Sequence, residues 1–288
     1  MKGVLGVENP RGSSDSGAIF LRNEVAVTAA SIVAVLAEEL ALFAGVGFLL
    51  FALDDVLVDL IYFARRAWRG LFVYTRHARA FAGTLPPHPA GWLAVFIPAW
   101  DEAAVIGPML RATLERFGAG DYRLFVGHYP NDPATAAAIA AVGDPRVIAV
   151  TLPHLGPTTK ADCLNHLHAA MTQVEKQRGE RARAIVLHDA EDVVHPLELR
   201  LFAALIDRAA AIQLPVVPFP DPASRWIAGH YGDEFAESHG KEMVVREAVG
   251  AAIPLAGVGC AIERGALDRL AAQNGGRPFA AESMTKNN

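Results

Sequence analysis

The chain has 288 residues, of which 52% are hydrophobic, and a formal net charge of -5 at neutral pH. This apolar content fills a complete core and exceeds what a soluble domain of this length usually needs, so we expect part of it to lie in lipid. The pI near 6.1 and the presence of only two cysteines, Cys163 and Cys260, exclude a basic nucleic-acid footprint over the whole domain, a disulfide framework and a CxxC zinc site.

The N-terminal part of the chain predicts a disordered tail and then a membrane anchor. Residues 1–24 are rich in Gly, Ser and Pro, contain no long apolar run and do not resemble a signal peptide. Residues 25–60 are the predicted transmembrane anchor, because Val25–Leu53 is almost wholly apolar and longer than the roughly 20 residues that span a bilayer. Glu38 and Glu39 oppose this assignment, since one carboxylate near the bilayer centre costs at least about 2.5 kcal/mol. An interfacial or core helix is the alternative.

Basic residues are much denser after the apolar run than before it. Residues 61–90 form a basic juxtamembrane segment that ends in a proline-rich linker around Pro86 and Pro87. The segment contains Arg65, Arg66, Arg69, Arg76 and Arg79, with Trp68 and Tyr74 among them. Only Arg22 lies close on the other side, so the positive-inside rule predicts that everything after about residue 60 is cytoplasmic.

Residues 91–288 begin with short apolar segments that alternate with helical patterns. The predicted strands are Leu93–Ile97, Leu124–Gly127, Val147–Thr151 and Ala184–Leu187, and the predicted helices between them are Ala103–Phe117, Ala134–Val142 and Lys160–Lys176. This alternation predicts an α/β domain with a mainly parallel sheet and flanking helices, and its ligand is expected at the carboxyl ends of the strands.

Polar clusters follow the first two predicted strands, and another begins the helix at Lys160. Asp101, in the segment Pro98–Glu102, is placed to cap the following helix, and Asp132 ends a turn that starts another. Thr159 is placed to cap the helix that begins at Lys160. A lysine in the first helical turn opposes the helix dipole, so a bound phosphate explains Lys160 better than a structural role does.

The segment His188–Asp192 carries the most chemistry. Asp189, Glu191 and Asp192 follow an apolar strand directly, and three neighbouring carboxylates repel one another unless a cation or hydrogen-bond donors neutralise them. Oxygen ligands suit Mg²⁺ or Mn²⁺, and Asp189 and Glu191 lie two residues apart, on the same side of an extended segment. A solvated acidic turn is the alternative.

Several motifs occur in an order that resembles the family 2 glycosyltransferases of the GT-A fold. They are PAWDE after the first strand, an Asp after the second, TTKADCLN, HDAED and Gly257-Val-Gly-Cys. The segments LDDVLVDLIYFARR, GHYPNDP, LHDAEDVVHPLELRLF and DEFAESHGK are similar to the phage adsorption protein B branch, inner-membrane enzymes of surface-glycan synthesis. The resemblance extends from about residue 50 to about residue 285 and implies that residues 91–288 form a GT-A domain.

The resemblance implies a role for each matching position. The donor nucleotide site comprises Pro98, Asp101, Glu102, Asp132, Lys160 and Asn165, with Asp132 on the base. Asp189 and Glu191 correspond to the DxD metal motif for Mg²⁺ or Mn²⁺, and together with the adjacent Asp192 they form the catalytic set. The acceptor side comprises Glu234, Glu237, His239, Gly257 and Gly259.

The implied function is inverting transfer of a sugar from a nucleotide-diphosphate sugar to a glycan or lipid-linked acceptor. It takes place at the cytoplasmic face of the bacterial inner membrane and serves cell-surface or exopolysaccharide synthesis. The family alone implies an outer-membrane export partner. The partners are thus donor, acceptor and membrane, and nucleic acid is excluded.

The family's catalytic base lies in a Ser-Leu-Thr-Glu-Asp segment, whereas this sequence reads Ser283-Met-Thr-Lys-Asn-Asn288. This departure predicts an incomplete domain and, as an alternative function, a truncated, catalytically weak nucleotide-sugar-binding remnant. A nucleotidyltransferase is a second alternative, although PAWDE is not the Gly-rich basic loop expected of one. A zinc hydrolase built from His166, His188 and His195 is a third, with a spacing that matches no known zinc motif.

Overall fold

The structure, a computed structural model, describes residues 14–85 and 91–280, except for the side chains of residues 14–26, 29 and 222. The chain divides into two compact units, Met1–Ala67 and Trp68–Asn288. Three segments with sequence-based predictions lie outside the described residues. They are the first 13 residues of the predicted tail, the prolines of the predicted linker, and the segment Ser283–Asn288.

The first unit contains one long helix, α1 (Ser14–Trp68), of 55 residues. It extends beyond both ends of the predicted anchor, so residues 14–24 are helical where a disordered tail was expected. Each residue added to an existing helix gains one backbone hydrogen bond, which explains why residues 14–24 continue the helix although they include Gly and Ser. By length and composition the stretch Ala30–Val73 is apolar enough to cross a membrane. Phe43 and Phe51 expose 80% and 74% of their surface, so the helix is apolar on its outside.

The second unit is built on one six-stranded sheet. Its strands are β1 (Leu93–Pro98), β2 (Tyr122–His128), β3 (Val147–Thr151), β4 (Ala184–Leu187), β5 (Ala211–Gln213) and β6 (Cys260–Glu263). The spatial order is β3-β2-β1-β4-β6-β5. The first four of these are parallel, and β6 is antiparallel to both β4 and β5. The expected mainly parallel sheet is therefore confirmed, with two further strands at one edge.

Helices connect and flank the strands. They are α2 (Ile106–Phe117), α3 (Pro133–Ala140), α4 (Lys160–Arg178), α5 (Glu198–Leu205), α6 (Arg225–Glu237), α7 (Met243–Ala248) and α8 (Arg264–Gln273). The order β1-α2-β2-α3-β3-α4-β4 is the predicted alternation. The predicted helix cap at Thr159 is present, since its Oγ1 accepts from the N–H of Asp162 at 3.2 Å. Asp132, predicted to end the turn before a helix, caps α3 through Oδ1, which accepts from the N–H of Thr135 at 3.2 Å.

The core lies on both faces of the sheet. Alternate residues of β1 point to opposite faces, so Val95 packs with Leu110 of α2 and Phe202 of α5 in one cluster. Phe96 packs with Leu167 of α4 in the other. Because both faces are covered, β1 reads as a continuous apolar run and not as an alternating pattern. All its residues from Leu93 to Ile97 are fully buried, which leaves the strand ends as the place for polar chemistry.

The predicted capping role of Asp101 is wrong. Helix α2 begins at Ile106, and Val105 occupies its N-cap position without a side-chain cap. Asp101 has φ 58°, in the left-handed region that residues other than glycine rarely adopt. This backbone conformation turns the chain sharply after β1, so the helix starts several residues later than the apolar pattern indicates. Pro98 also belongs to β1, where it pairs with Gly127, instead of ending the strand before it.

Candidate functional site

Acidic residues from three strand ends face a common space at the carboxyl edge of the sheet. Asp101 and Glu102 follow β1, Asp132 follows β2, and Asp189 and Glu191 follow β4. Burial raises the pKa of Glu102 above its ordinary value, and the nearby charges of Glu191, Asp101, Asp189 and Asp132 raise it further. The structure thus brings together the acidic residues that the sequence assigned to the donor and metal sites.

The loop after β1 is held by the first turn of α3. Asp132 Oδ2 accepts a hydrogen bond from the N–H of Asp101 at 2.7 Å, and Thr135 Oγ1 accepts one from the N–H of Glu102 at 3.0 Å. Burial alone would raise the pKa of Asp132, but hydrogen bonds from Thr135 and from the Asp101 backbone outweigh it and lower the pKa. The carboxylate that the resemblance placed on the nucleotide base therefore anchors the loop through Oδ2 and caps α3 through Oδ1.

Lys160 joins three parts of the site. Its Nζ contacts Asp189 Oδ1 in a half-exposed ion pair and donates to the carbonyl oxygen of Gly257 at 3.1 Å. These groups come from the first turn of α4, the end of β4 and the loop before β6. The sequence placed Lys160 near a phosphate, and the structure puts its ammonium directly beside the predicted metal ligand.

The loop that carries Gly257 and Gly259 is fixed by a side chain on β5. Gln213 donates to the carbonyl oxygen of Val258 at 2.9 Å and accepts from the N–H of Ala256 at 2.8 Å. Gly257 has φ 80° and Gly259 has φ 57°, which only glycine adopts without strain. No local pattern identified Gln213, because its role depends on a loop more than forty residues away in the chain.

A buried charge cluster supports the turn that bears Asp189 and Glu191. His188 hydrogen-bonds Asp192 through Nδ1 at 2.9 Å and Glu198 through Nε2 at 2.6 Å. Burial lowers the pKa of His188, but these two carboxylates raise it more strongly, to about 9. Asp192 also accepts from the N–H of Asp189 at 2.9 Å. Asp192 was predicted as part of the catalytic set, but its Oδ2 stabilises the turn through His188 and the N–H of Asp189. Glu198, the second partner of His188, was not identified from the sequence.

The residues present fit a divalent ion bound with a diphosphate. Asp189 and Glu191 offer carboxylate oxygens only, the ligand set that Mg²⁺ and Mn²⁺ prefer. The pKa of Glu102 is raised first by burial and then by the surrounding carboxylates, so a divalent cation at this edge would relieve part of their repulsion. A site with two carboxylates leaves room for substrate phosphates as further ligands.

Asn165 does not face this space. Its side-chain amide donates to the carbonyl oxygen of Phe279 at 2.9 Å and accepts from the N–H of Phe279 at 3.1 Å. Phe279 packs against the core cluster formed by α4 and α8. Both hydrogen-bonding groups of Asn165 thus hold the chain after α8, which differs from the predicted contact with the nucleotide sugar.

The predicted acceptor residues at the end of α6 and in the helical turn Ser238–Glu242 that follows it have different environments. Glu234 is exposed, and Glu237 is exposed and pairs with Lys241. His239 is buried, its ring stacks on Phe235 with centroids 5.3 Å apart, and its Nδ1 accepts from the N–H of Val216 at 3.4 Å. Burial lowers the pKa of His239. Its contacts hold the helix against the preceding loop, and their relation to an acceptor stays a prediction.

The histidines of the zinc-hydrolase alternative have separate partners. His188 uses both ring nitrogens on carboxylates, and His195 Nδ1 accepts from the N–H of Leu197 at 3.1 Å. Within residues 14–85 and 91–280, the one group of three His, Cys, Asp or Glu residues with ligand atoms in mutual reach consists of His154, Asp162 and His166. The structure thus gives no support to a zinc hydrolase built from the three predicted histidines.

Known proteins of one family are similar to this chain. The profile described as "Glycosyltransferase like family 2" matches residues 88–285. The chain is 41% identical over 236 residues to bacteriophage adsorption protein B of Escherichia coli strain K12, covering 81% of this chain and 32% of that protein. Bacteriophage N4 adsorption protein B of Escherichia coli O157:H7 matches with the same 41% identity and the same coverage. The chain therefore spans 32% of the length of these curated relatives.

Solved glycosyltransferase structures are similar at lower identity. A mannosyltransferase from Pyrobaculum calidifontis in complex with GDP-Man and Mn²⁺ has 18% identity and a TM-score of 0.43, covering 74% of this chain and 58% of that chain. Glucosyl-3-phosphoglycerate synthase from Mycobacterium tuberculosis, in complex with Mn²⁺, UDP-glucose and phosphoglyceric acid, has 17% identity and a TM-score of 0.35. The match covers 62% of this chain and 58% of that chain.

The family match covers the whole sheet and every strand end described above. Identity to the curated relatives extends over most of the chain. The resemblance drawn from the motifs is therefore confirmed, and so is the predicted fold. The chain belongs to glycosyltransferase family 2, and its mixed, mainly parallel sheet is that of the GT-A fold.

Proposed function

We propose that the second unit binds a nucleotide-diphosphate sugar together with Mg²⁺ or Mn²⁺ and transfers the sugar, with inversion, to a glycan or lipid-linked acceptor. The observation that carries this proposal is the meeting of Lys160 with Asp189 and with the carbonyl oxygen of Gly257. One cation links the metal motif to the loop on the predicted acceptor side. A diphosphate bound there would meet both a positive side chain and the acidic metal ligands.

The residues have separable tasks in this proposal. Asp189 and Glu191 would hold the metal ion, which when bound would supply positive charge to the diphosphate of the donor. Lys160 adds a second positive charge on the phosphate side, where it neutralises charge that develops during bond cleavage. Asp132 and Thr135 hold the loop of Asp101 and Glu102 in place for the nucleotide. His188, Asp192 and Glu198 keep the metal-binding turn rigid.

Calorimetric titration of the detergent-solubilised chain with a panel of nucleotide sugars tests this assignment. We expect binding of one donor class in Mn²⁺ or Mg²⁺ and much weaker binding in chelator. Asp189→Asn should remove the metal dependence, whereas Asp233→Asn, on the exposed face of α6, should leave it unchanged. Equal affinity in chelator and in Mn²⁺ would overturn the metal assignment. A transfer assay with the same donor tests the second half of the proposal.

We also propose that α1 anchors the chain in a bacterial inner membrane with the second unit on the cytoplasmic side. The support is the apolar length of Ala30–Val73 and the arginines that follow the apolar run. The surface-glycan role and an outer-membrane export partner are proposed from the family resemblance of the motifs.

A further inference from the structure

A second cluster of metal-ligating side chains lies on helix α4 and on the loop before it. His154 follows β3, whereas Asp162 and His166 lie one helical turn apart near the start of α4. One ligand atom from each of the three residues lies within 4.8 Å of the others. His154 Nε2 is 2.8 Å from Asp162 Oδ2, and His166 Nε2 is 3.8 Å from Asp162 Oδ1. The two rings meet edge to face with centroids 5.3 Å apart.

We propose that His154, Asp162 and His166 form a binding site for a divalent transition-metal ion of the zinc type. A tetrahedral zinc about 2.1 Å from each ligand places its ligand atoms about 3.4 Å apart. His154 lies 2.8 Å from one oxygen of Asp162 and His166 lies 3.8 Å from the other, so a small rotation of the carboxylate and the rings brings one oxygen and both nitrogens to this spacing. Two ligands one helical turn apart share a helix face, so side-chain rotation alone brings them together. Three protein ligands leave a position for water or another ligand.

The surroundings orient the carboxylate as a metal site requires. Thr158 Oγ1 donates to Asp162 Oδ2 at 2.9 Å, and the Tyr129 hydroxyl lies 2.7 Å from Thr158 Oγ1. Such outer contacts fix the direction of a ligating carboxylate. With Thr158 on Oδ2, the other oxygen, Oδ1, faces His166. Asp162 and His166 also line a pocket of about 180 Å³, which gives an ion and a further ligand a way in.

The ligand chemistry separates this cluster from the metal motif of the active site. Asp189 and Glu191 present only oxygens, whereas two imidazoles and one carboxylate favour zinc, cobalt or nickel over magnesium. Each site therefore has its own metal preference. Binding of an ion here requires neither donor nor acceptor, because the three ligands are different residues from Asp189 and Glu191.

An ion in this site would fix the position of Lys160. The loop from His154 to Thr159 leads directly into the first turn of α4, which carries Lys160. Gly156 in this loop packs so closely on Tyr129 and Trp100 that an added Cβ would lie 2.5 Å and 2.7 Å from their rings. A metal bridge from His154 to α4 would hold this tightly packed loop against the helix.

Cobalt titration of the full chain in detergent tests the proposal. The Asp189→Asn/Glu191→Gln double variant is the starting protein, so that the oxygen-ligand site does not contribute. We expect one equivalent of Co²⁺ with visible ligand-field bands and its displacement by one equivalent of Zn²⁺. His154→Ala and His166→Ala should each lower Co²⁺ affinity at least tenfold, whereas His195→Ala, an exposed histidine outside the cluster, should not.

Circular dichroism of each variant separates loss of a ligand from loss of the fold. His166→Gln provides a second variant, because it keeps a polar side chain on the helix but removes the imidazole ligand. Absence of the bands in the starting protein would overturn the proposal. Bands that persist unchanged in the folded His154→Ala and His166→Ala variants would also overturn it, because the cobalt would then be bound elsewhere. Neither result depends on donor binding, so this test fails or succeeds separately from the proposed function.

Discussion

Asp132 accepts the backbone N–H of Asp101 at 2.7 Å, so two acidic residues assigned to the nucleotide site contact each other directly. The contact joins the ends of β1 and β2 and supports the left-handed backbone of Asp101. Asp132 therefore acts on the site through the shape of the loop. This relationship makes the loop after β1 sensitive to changes in a side chain that is itself buried.

Asp132→Asn should destabilise the second unit and weaken donor binding together. The asparagine replaces one acceptor oxygen by an NH₂ group that faces a backbone N–H, and an unsatisfied buried donor costs about 1–3 kcal/mol. We expect the free energy of unfolding to fall by about this amount, measured by urea denaturation. Asp233→Asn on α6 is the matched control. Unchanged stability and unchanged donor affinity would contradict the anchoring role.

Lys160→Met should weaken donor binding in Mn²⁺ without unfolding the domain. A hydrogen bond to a charged group contributes about 1.5–3 kcal/mol, which corresponds to roughly a tenfold to hundredfold rise in Kd. The ion pair with Asp189 is half exposed, so we expect little change in Tm. Calorimetry compares this variant with Lys176→Met, at the other end of α4. An equal loss of affinity in both variants would rule out a specific role for Lys160.

Stability at acid pH should depend on the pair formed by Asp144 and Arg146. Hydrogen bonds from Arg146 lower the pKa of Asp144 to about 2. A carboxyl whose pKa is lower in the folded state contributes stability above its unfolded pKa of about 3.9 and loses it as the pH falls towards 2. The difference in unfolding free energy between the wild type and Asp144→Asn should therefore shrink between these pH values. In an Arg146→Met background, the effect of Asp144→Asn on the unfolding free energy should vary little with pH. An effect of Asp144→Asn that is independent of pH in the wild-type background would contradict the pairing.

Removal of Glu175 should be more damaging than removal of the whole ion pair. Glu175 accepts two hydrogen bonds from buried Arg264, at 2.9 and 3.0 Å. Breaking one side of a buried pair costs about 3–5 kcal/mol, and Arg264 here keeps a contact with Asp268, so we expect Glu175→Leu to lower the unfolding free energy by about 3 kcal/mol. The Glu175→Leu/Arg264→Met double variant should recover part of this loss, because the N–H of Ala182 still lacks the acceptor that Glu175 provides. Urea denaturation curves of both variants measure the two unfolding free energies. Equal losses of unfolding free energy in the single and the double variant would mean that the buried charge of Arg264 is not the cause.

Membrane anchoring and orientation should be visible by thiol labelling. Cys163 and Cys260 are buried, and burial raises their pKa to about 12 and about 11, so the native thiols react slowly. A cysteine at position 22 should react with an impermeant maleimide in intact spheroplasts, whereas one at position 176 should react only after lysis. The chain should also stay with membranes in carbonate. Labelling of position 176 without lysis would reverse the proposed orientation.

Local pattern was enough to predict the order of the elements from β1 to β4 and the edge of the sheet where the acidic residues lie. Val147–Thr151 and Ala184–Leu187 match the predicted strands because each is a short apolar run between turn residues. Polar residues after such runs lie at the carboxyl edge of a parallel sheet, so the cluster around Asp189 follows from topology. The cap at Thr159 was predictable because a cap is a contact between neighbours in the chain.

The partners of individual polar side chains required the folded chain. Asn165 and Phe279 are 114 residues apart, and Lys160 and Gly257 are 97 apart, so no local pattern relates them. His188 is adjacent to three acids in the sequence, yet one of its two partners is Glu198 on the next helix. A buried polar atom must find a partner wherever packing brings one. Residue type and spacing therefore predicted where this site lies, whereas long-range packing determined which of its side chains anchor the loops and which are left to bind a ligand.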